Sequence, residues 1–454
     1  MSAIGSDRGR EFLRIAAAAC ALFCALAASR PCAAADERLV VIHAGTLLAI
    51  PGQAPLRKQT LVIRDGRITE IRSGFVPPAA VSAGRAAQFV DLSRRFVLPG
   101  LIDLHVHLTT EVAPGEAERV VTETAADLAL RAQRHARQTL LAGFTTVLDL
   151  GTGRLAHEEA IYALRAAIND GIVVGPRILA VGSPISATGS SRTGRFNSRV
   201  ASAVGPEAVC DGADACRAAV QEQVRRGADA INFYNSGSLN DRDLVERTMT
   251  DAEMQSIVDT AHALGRKVIA DGHTAQGINA ALRAGADIID TAPWPDETTW
   301  ALFKGRKAFF EPHLYAFAVA ARWANTGTGN TDSAASEPPA MARIRDVMSR
   351  PSSAQVAYRH GVRLAYGSDT GIVEHGDNAG DLNELVAIGL TPMEAISVAT
   401  VNSAAAIGRL AEIGTLEAGK HADLIATDTS PLDNIDGLRR VTFVMRDGVI
   451  YKGN

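Results

Sequence analysis

The middle of the chain alternates short apolar runs with amphipathic stretches, eight times over. In order the runs are LPGLIDLHVHL, TTVLDLG, PRILAVGSPIS, ADAINFYNSG, KVIADGH, ADIIDTAPW, AFFEPHLYAF and RLAYGSDTG. Segments of helical periodicity, such as ERVVTETAADLALRAQRHARQTLLAG and DAEMQSIVDTAHALG, separate them. Strand-helix alternation is the pattern of an α/β architecture, and eight units predict a closed (β/α)8 barrel over residues 96–408. Polar residues gather at the C-terminal ends of the runs, where such barrels carry their chemistry.

The flanks have a different character. RLVVIHAGTLLAI, QTLVIRDGRITEIRSG and QFVDLSRRFVLPG read as strands, as do IGTLEAGKHADLIATD and VTFVMRDGVIYKGN. IRDGRITEI and VMRDGVIYKG share one Asp-Gly turn logic from opposite ends of the chain. Residues 36–95 and 409–454 are therefore expected to pair into one small composite β-sandwich beside the barrel. The polar, proline-bearing stretch 325–340 is expected to be a loop after the seventh strand that covers the mouth.

Residues 1–35 read as a secretory signal peptide. Arg8, Arg10 and Arg14 precede the apolar run IAAAACALFCALAAS, and Ala33 and Ala35 stand before a cut at Asp36. The run is too short to span a membrane, and no other stretch supplies a span. Gly9 stands where a twin-arginine signal would carry its first arginine, which favours the general secretory route to a periplasmic or secreted protein. Beyond the leader only Cys210 and Cys216 remain, in VCDGADAC, and export favours a disulfide between them. The 454 residues carry a formal charge of -4 with no long basic run, which argues against a nucleic-acid partner and leaves a small molecule.

His105 and His107 lie two apart in GLIDLHVHL, so strand alternation points both imidazoles into the barrel mouth. Two neutral imidazoles from one strand suit a zinc-type ion. Asp369 ends the eighth strand, the neighbour of the first in a closed barrel. It can reach the same ion and take a proton from water activated there. His313, at the end of the seventh strand with Glu311 on its face, is open to three roles: a general acid, a new ligand, or a core histidine bonded to backbone. Tyr234 and Asn232 share a face of the fourth strand, and Tyr234 is placed to meet a substrate carboxylate or to fill the barrel.

GLIDLHVHL, AGFTTVLDLG, GPRILAVGSPIS, LTPMEAISVATVNSAAAIG and IGTLEAGKHADLIATD together resemble the amidohydrolase superfamily, most closely its imidazolonepropionase-like and Xaa-Pro dipeptidase-like branch. The resemblance covers nearly all of the chain after the leader. It implies a barrel with a composite β-sandwich, and metal-dependent hydrolysis of carbon–nitrogen bonds. It also exposes departures. Where the family carries a carboxylated lysine, this sequence has Asn232, and no lysine occurs between His107 and Lys267. Asp271 stands at the position of a fifth-strand histidine ligand, with His273 kept two residues on. Thr291 replaces a sixth-strand histidine, and Ser191 stands where a histidine near the substrate is usual. His375 matches a family position in the loop after the eighth strand and is a candidate supporting residue.

The ligand set expected from these residues is His105, His107, Asp271 and Asp369 around one divalent ion, zinc first with iron or manganese as alternatives, and no carboxylated lysine. Asp369, His273 and His313 are the catalytic candidates. Asn232, Tyr234 and Ser191 are substrate candidates. The leading reading is an exported mononuclear amidohydrolase acting on an amide, a dipeptide-like compound or a cyclic amide. The alternative is a catalytically degenerate member that binds or scaffolds. Barrels of this type often pair, which leaves a homo-oligomer open.

Overall fold

The structure is a computed structural model. It describes residues 38–112, 122–151, 158–188, 208–237, 244–326 and 339–453, with the single positions 119, 190 and 239 between them. The signal segment, Ser191 and most of the 325–340 stretch lie outside the described residues.

Both ends of the chain build one sheet. β1 (Leu39–Leu47), β2 (Leu56–Arg64), β3 (Arg67–Ser73) and β4 (Gln88–Pro99) come from the N-terminal flank. Eight barrel strands then follow in the chain, and β13 (Leu424–Thr427), β14 (Phe443–Arg446) and β15 (Val449–Lys452) complete the sheet in the order β15-β14-β13-β4-β1-β2-β3. The two Asp-Gly turns explain the shared motif. Asp65 and Gly66, and likewise Asp447 and Gly448, have positive φ, as a two-residue hairpin turn requires. The turns also face each other: a Cβ on Gly66 would lie 2.7 Å from the Asp447 carbonyl oxygen.

The chain passes from sheet to barrel at Gly100, whose N–H donates to the Asp423 carbonyl at 3.0 Å. The barrel strands are β5 (Leu101–Val106), β6 (Phe144–Asp149), β7 (Arg177–Ala180), β8 (Ala230–Tyr234), β9 (Lys267–Thr274), β10 (Ile288–Trp294), β11 (Phe309–Glu311) and β12 (Arg363–Leu364). Two runs pair in parallel, β5-β6-β7 and β8-β9-β10-β11-β12. Bridges between Ile185 and Phe233 and between Val106 and Thr370 join them, so the circle closes with the first and eighth strands adjacent.

The helices pack outside this circle. Helix Ala125–Leu141 starts at a capping box in which Thr124 and Asp127 satisfy each other's backbone N–H, and it buries Leu128, Ala132, Ala136 and Leu140. The disulfide Cys210–Cys216 is present, with its Cα atoms 4.8 Å apart, before and within helix Ala213–Arg226. Among the described residues no helix is long and apolar enough to cross a membrane.

One element departs from the sequence reading. The seventh strand ends at Glu311, and Leu314–Thr326 is a helix rather than more strand. The apolar periodicity of LYAF serves both geometries, and positive φ at His313 makes the break.

Inside the barrel, Ile102, Leu104, Leu148, Leu179, Ala230, Ile269, Ile288 and Phe309 form an apolar floor. The next inward positions towards the strand ends are polar, which puts the chemistry one layer above this plug. Gly100→Ala would set a methyl 2.1 Å from the Oγ1 of buried Thr145. We expect it to destabilise the fold by about 1–3 kcal/mol, seen as a lower midpoint in denaturant unfolding.

Candidate active site

Strand register places the polar layer. Tyr234 pairs with Asp271, Asp271 with Asp290, and Asp290 with Glu311 across β8 to β11. Register partners in parallel strands face one side, so these four form a row around one half of the mouth. His273 lies two residues beyond Asp271 on the same face, with Nδ1 3.6 Å from Asp271 Oδ1. Asn232 lies one layer below Tyr234 and is buried; among the described residues its Oδ1 has no hydrogen-bond partner.

The other half of the mouth comes from β5 and the segment after β12. The pairing of β5 with β6 shifts between Asp103 and Val106. Leu104 joins the floor while His105 turns to the site. The Nε2 atoms of His105 and His107 stand 3.1 Å apart. Asp369 Oδ1 lies 3.4 Å from the first and 3.5 Å from the second. The three therefore form one cluster capable of holding an ion, and Asp271 stands outside it. Asp369 has φ +53°, and the loop it begins is held by the Ile372 N–H donating to its carbonyl at 3.0 Å. Gly371 packs its backbone against the His107 side chain.

The cluster suits a divalent cation. His107 Nδ1 donates to the Gly151 carbonyl at 2.7 Å, which leaves Nε2 as a lone pair facing His105. In place of the proton shared between the two Nε2 atoms, a divalent cation would meet two imidazole lone pairs and the Asp369 carboxylate at one point. Asn232 cannot form a carbamate. Thr291 offers only a hydroxyl, on a residue with φ +73°.

Beneath the cluster lies a second polar group that the sequence did not bring out. Asp290 is fully buried, with Oδ2 3.0 Å from His105 Nδ1 and Oδ1 bonded to His313 Nε2. His313 Nδ1 reaches the Gly367 carbonyl at 3.0 Å, so both of its ring nitrogens are engaged. Burial disfavours charge on His105, yet Asp290 and Asp369 override it and push its pKa up to about 9. Burial would raise Asp290 as well, but the charges on His105 and His313 hold it well below the usual carboxylate range. Burial and the neighbouring Asp290 charge push Glu311 well up. Burial alone dominates at His273 and holds it down at about 4, so it is neutral at neutral pH.

Asp103 is the other residue the sequence did not single out. It is fully buried and accepts the Ser368 N–H at 3.0 Å, the Ser368 hydroxyl at 2.6 Å, the Asn378 amide at 2.8 Å and the His105 N–H at 3.2 Å. Its place two residues before His105 was the available signal. His135 and His375 stack at 4.1 Å behind the mouth. His135 Nδ1 donates to the Leu108 carbonyl at 2.8 Å and His375 Nε2 to that of Thr110 at 2.9 Å, which pins the chain just after His107.

A closed barrel with its polar layer at the strand ends, joined to a sheet made from both termini, is the architecture of a barrel hydrolase. The chain matches the amidohydrolase family over residues 96–299 and 350–452, and it belongs to that family. Ochratoxinase of Aspergillus niger is 30% identical over 447 residues, covering 93% of this chain and 88% of the relative. The crystal structure of a Xaa-Pro dipeptidase with methionine bound in its active site superposes with a TM-score of 0.81 at 29% identity, covering 91% of this chain and 100% of the other. That of a prolidase complexed with N-methylphosphonate-L-proline gives 0.78 at 26% identity, over 92% of this chain and 100% of the other. The chain is a hydrolase acting on carbon–nitrogen bonds.

His375 supplies a pH prediction. Burial lowers its pKa from 6.5 to about 3, so between these values only the unfolded chain binds the proton. Its contribution is whole above pH 6.5 and falls as the pH drops towards 3, by about 1.4 kcal/mol per unit. The stability difference between wild type and His375→Gln, measured by urea unfolding from pH 7 to pH 5, is expected to shift in favour of the variant with that slope.

Proposed function

We propose that the protein is an exported amidohydrolase that uses one divalent ion, zinc first, to cleave an amide bond in an N-acyl amino acid, a dipeptide-like compound or a cyclic amide. The cluster of His105, His107 and Asp369 carries this reading. An ion held there supplies Lewis acidity towards a carbonyl and towards water. Asp271, on β9 between β8 and β10 and outside this cluster, would have to approach the ion to serve as a fourth ligand.

The chain's own groups do the rest. Asp369 accepts the proton of the attacking water and delivers it to the leaving nitrogen. Neutral His273 donates its ring N–H to the oxyanion, and its backbone N–H is itself tied to Ser236 Oγ at 2.8 Å. His313 was the other candidate for that role. With both ring nitrogens engaged under His105, it acts in this reading from below, through Asp290. Tyr234 and Asn232 line the substrate side of β8.

A Xaa-Pro dipeptidase with bound methionine and a prolidase with a proline phosphonate favour compounds in which an amino acid supplies one side of the scissile bond. Arg343, whose charge is felt at His273, offers a cation for the carboxylate of such a substrate. The division into a leader of residues 1–35, sheet segments 36–95 and 409–454 and a barrel of 96–408 belongs to this reading. The Cys210–Cys216 disulfide supports export.

The test is hydrolysis of N-acyl amino acids, Xaa-Pro dipeptides and cyclic amides by protein loaded with zinc, iron or manganese. Activity should vanish with chelator and return with metal. Asp369→Asn should lower kcat at least about 100-fold while leaving the fold intact by circular dichroism. No turnover of any compound with any of the three ions would overturn the proposal. The N-terminus of the exported protein should read Asp36.

A further inference from the structure

We propose a second cation site in the barrel, built by Asp290, Glu311 and His313 on β10 and at the end of β11, and distinct from the ligand positions that the family uses. Candidate ligand atoms of these three residues and of His105 lie within 4.8 Å of one another. All four residues are buried, and Asp290 and Glu311 expose nothing. Among the described residues, neither carboxylate oxygen of Glu311 has a hydrogen-bond partner.

His105 and His313 offset the charge of Asp290, whereas Glu311 has no such partner in a pocket closed to water, where a bound cation would stabilise its carboxylate. His313 is prepared for that partner. Its Nδ1 bonds the Gly367 carbonyl at 3.0 Å, which orients Nε2 towards Asp290. Two carboxylates and an imidazole form a donor set for a zinc-type divalent cation. Glu311 is fixed in place by its backing, since its carboxylate lies against Gly367, where a Cβ would come 1.6 Å from Oε1.

His105 stands between the two sites. Its Nε2 faces His107 and Asp369, and its Nδ1 lies 3.0 Å from Asp290 Oδ2. The second ion would therefore act on the first centre through Asp290, as a positioning charge rather than as part of the hydrolytic step. The inference rests on the preceding reading only in leaving His105 Nε2 to the first ion.

The experiment is zinc stoichiometry. Protein stripped by chelator is reconstituted with Zn²⁺, freed of unbound metal and assayed by elemental analysis as wild type, His107→Ala and Glu311→Gln. The expected result is about two equivalents in the wild type and about one in each variant. A wild type with a single equivalent that Glu311→Gln keeps and His107→Ala loses would overturn this site and leave the proposed function standing. A single equivalent lost in Glu311→Gln but kept in His107→Ala would uphold this site and overturn the reading of the His107 centre. No zinc in the wild type would overturn both, and that reading needs no variant to fold.

Discussion

The buried carboxylate of Asp103 joins the two halves of the site. It accepts hydrogen bonds from the Ser368 N–H and hydroxyl, the Asn378 amide and the His105 N–H, so β5 and the segment leading to Asp369 are held to one anchor. Burial raises its pKa, and the four donors oppose that rise. An uncompensated carboxylate at this depth would cost several kcal/mol, so its hydrogen bonds are a condition of the fold. Barrel closure makes them possible, because only in a circle do the first and eighth strands meet.

A second constraint is charge. Asp271, Asp290 and Glu311 form a row of acids on three adjacent strands, where the family's imidazoles and carbamate would spread their charge differently. This chain sets His105 and His313 against the row and keeps His273 neutral at one side. The altered positions are thus not isolated losses. Asn232 and Thr291 withdraw ligands from one region of the mouth, while Asp290, Glu311 and His313 concentrate donors in another.

The fold was legible because its signals are periodic and repeated. Eight apolar runs predicted the barrel, and two Asp-Gly turns in otherwise unrelated flanks predicted a sheet made from both ends. His105, His107 and Asp369 were legible because alternation and strand adjacency are geometric rules. Asp290 was passed over because Thr291 beside it was the residue that broke the family pattern, and strand register alone shows that Asp290 faces Glu311. Asp103 was not singled out, since the Ser368 and Asn378 groups it binds lie more than 260 residues away. His135, not singled out in the sequence, is a buried helix residue stacked on His375. Long-range polar pairing leaves no local trace, and there the sequence reading stopped.

The central claim is that hydrolysis here depends on an ion held by His105, His107 and Asp369 without the family's lysine bridge. Anomalous diffraction from crystals of the zinc-loaded protein tests it most directly. The account predicts a zinc peak between the two Nε2 atoms and Asp369 Oδ1, with Asn232 unmodified. Zinc bound elsewhere in the barrel with that position empty would contradict it.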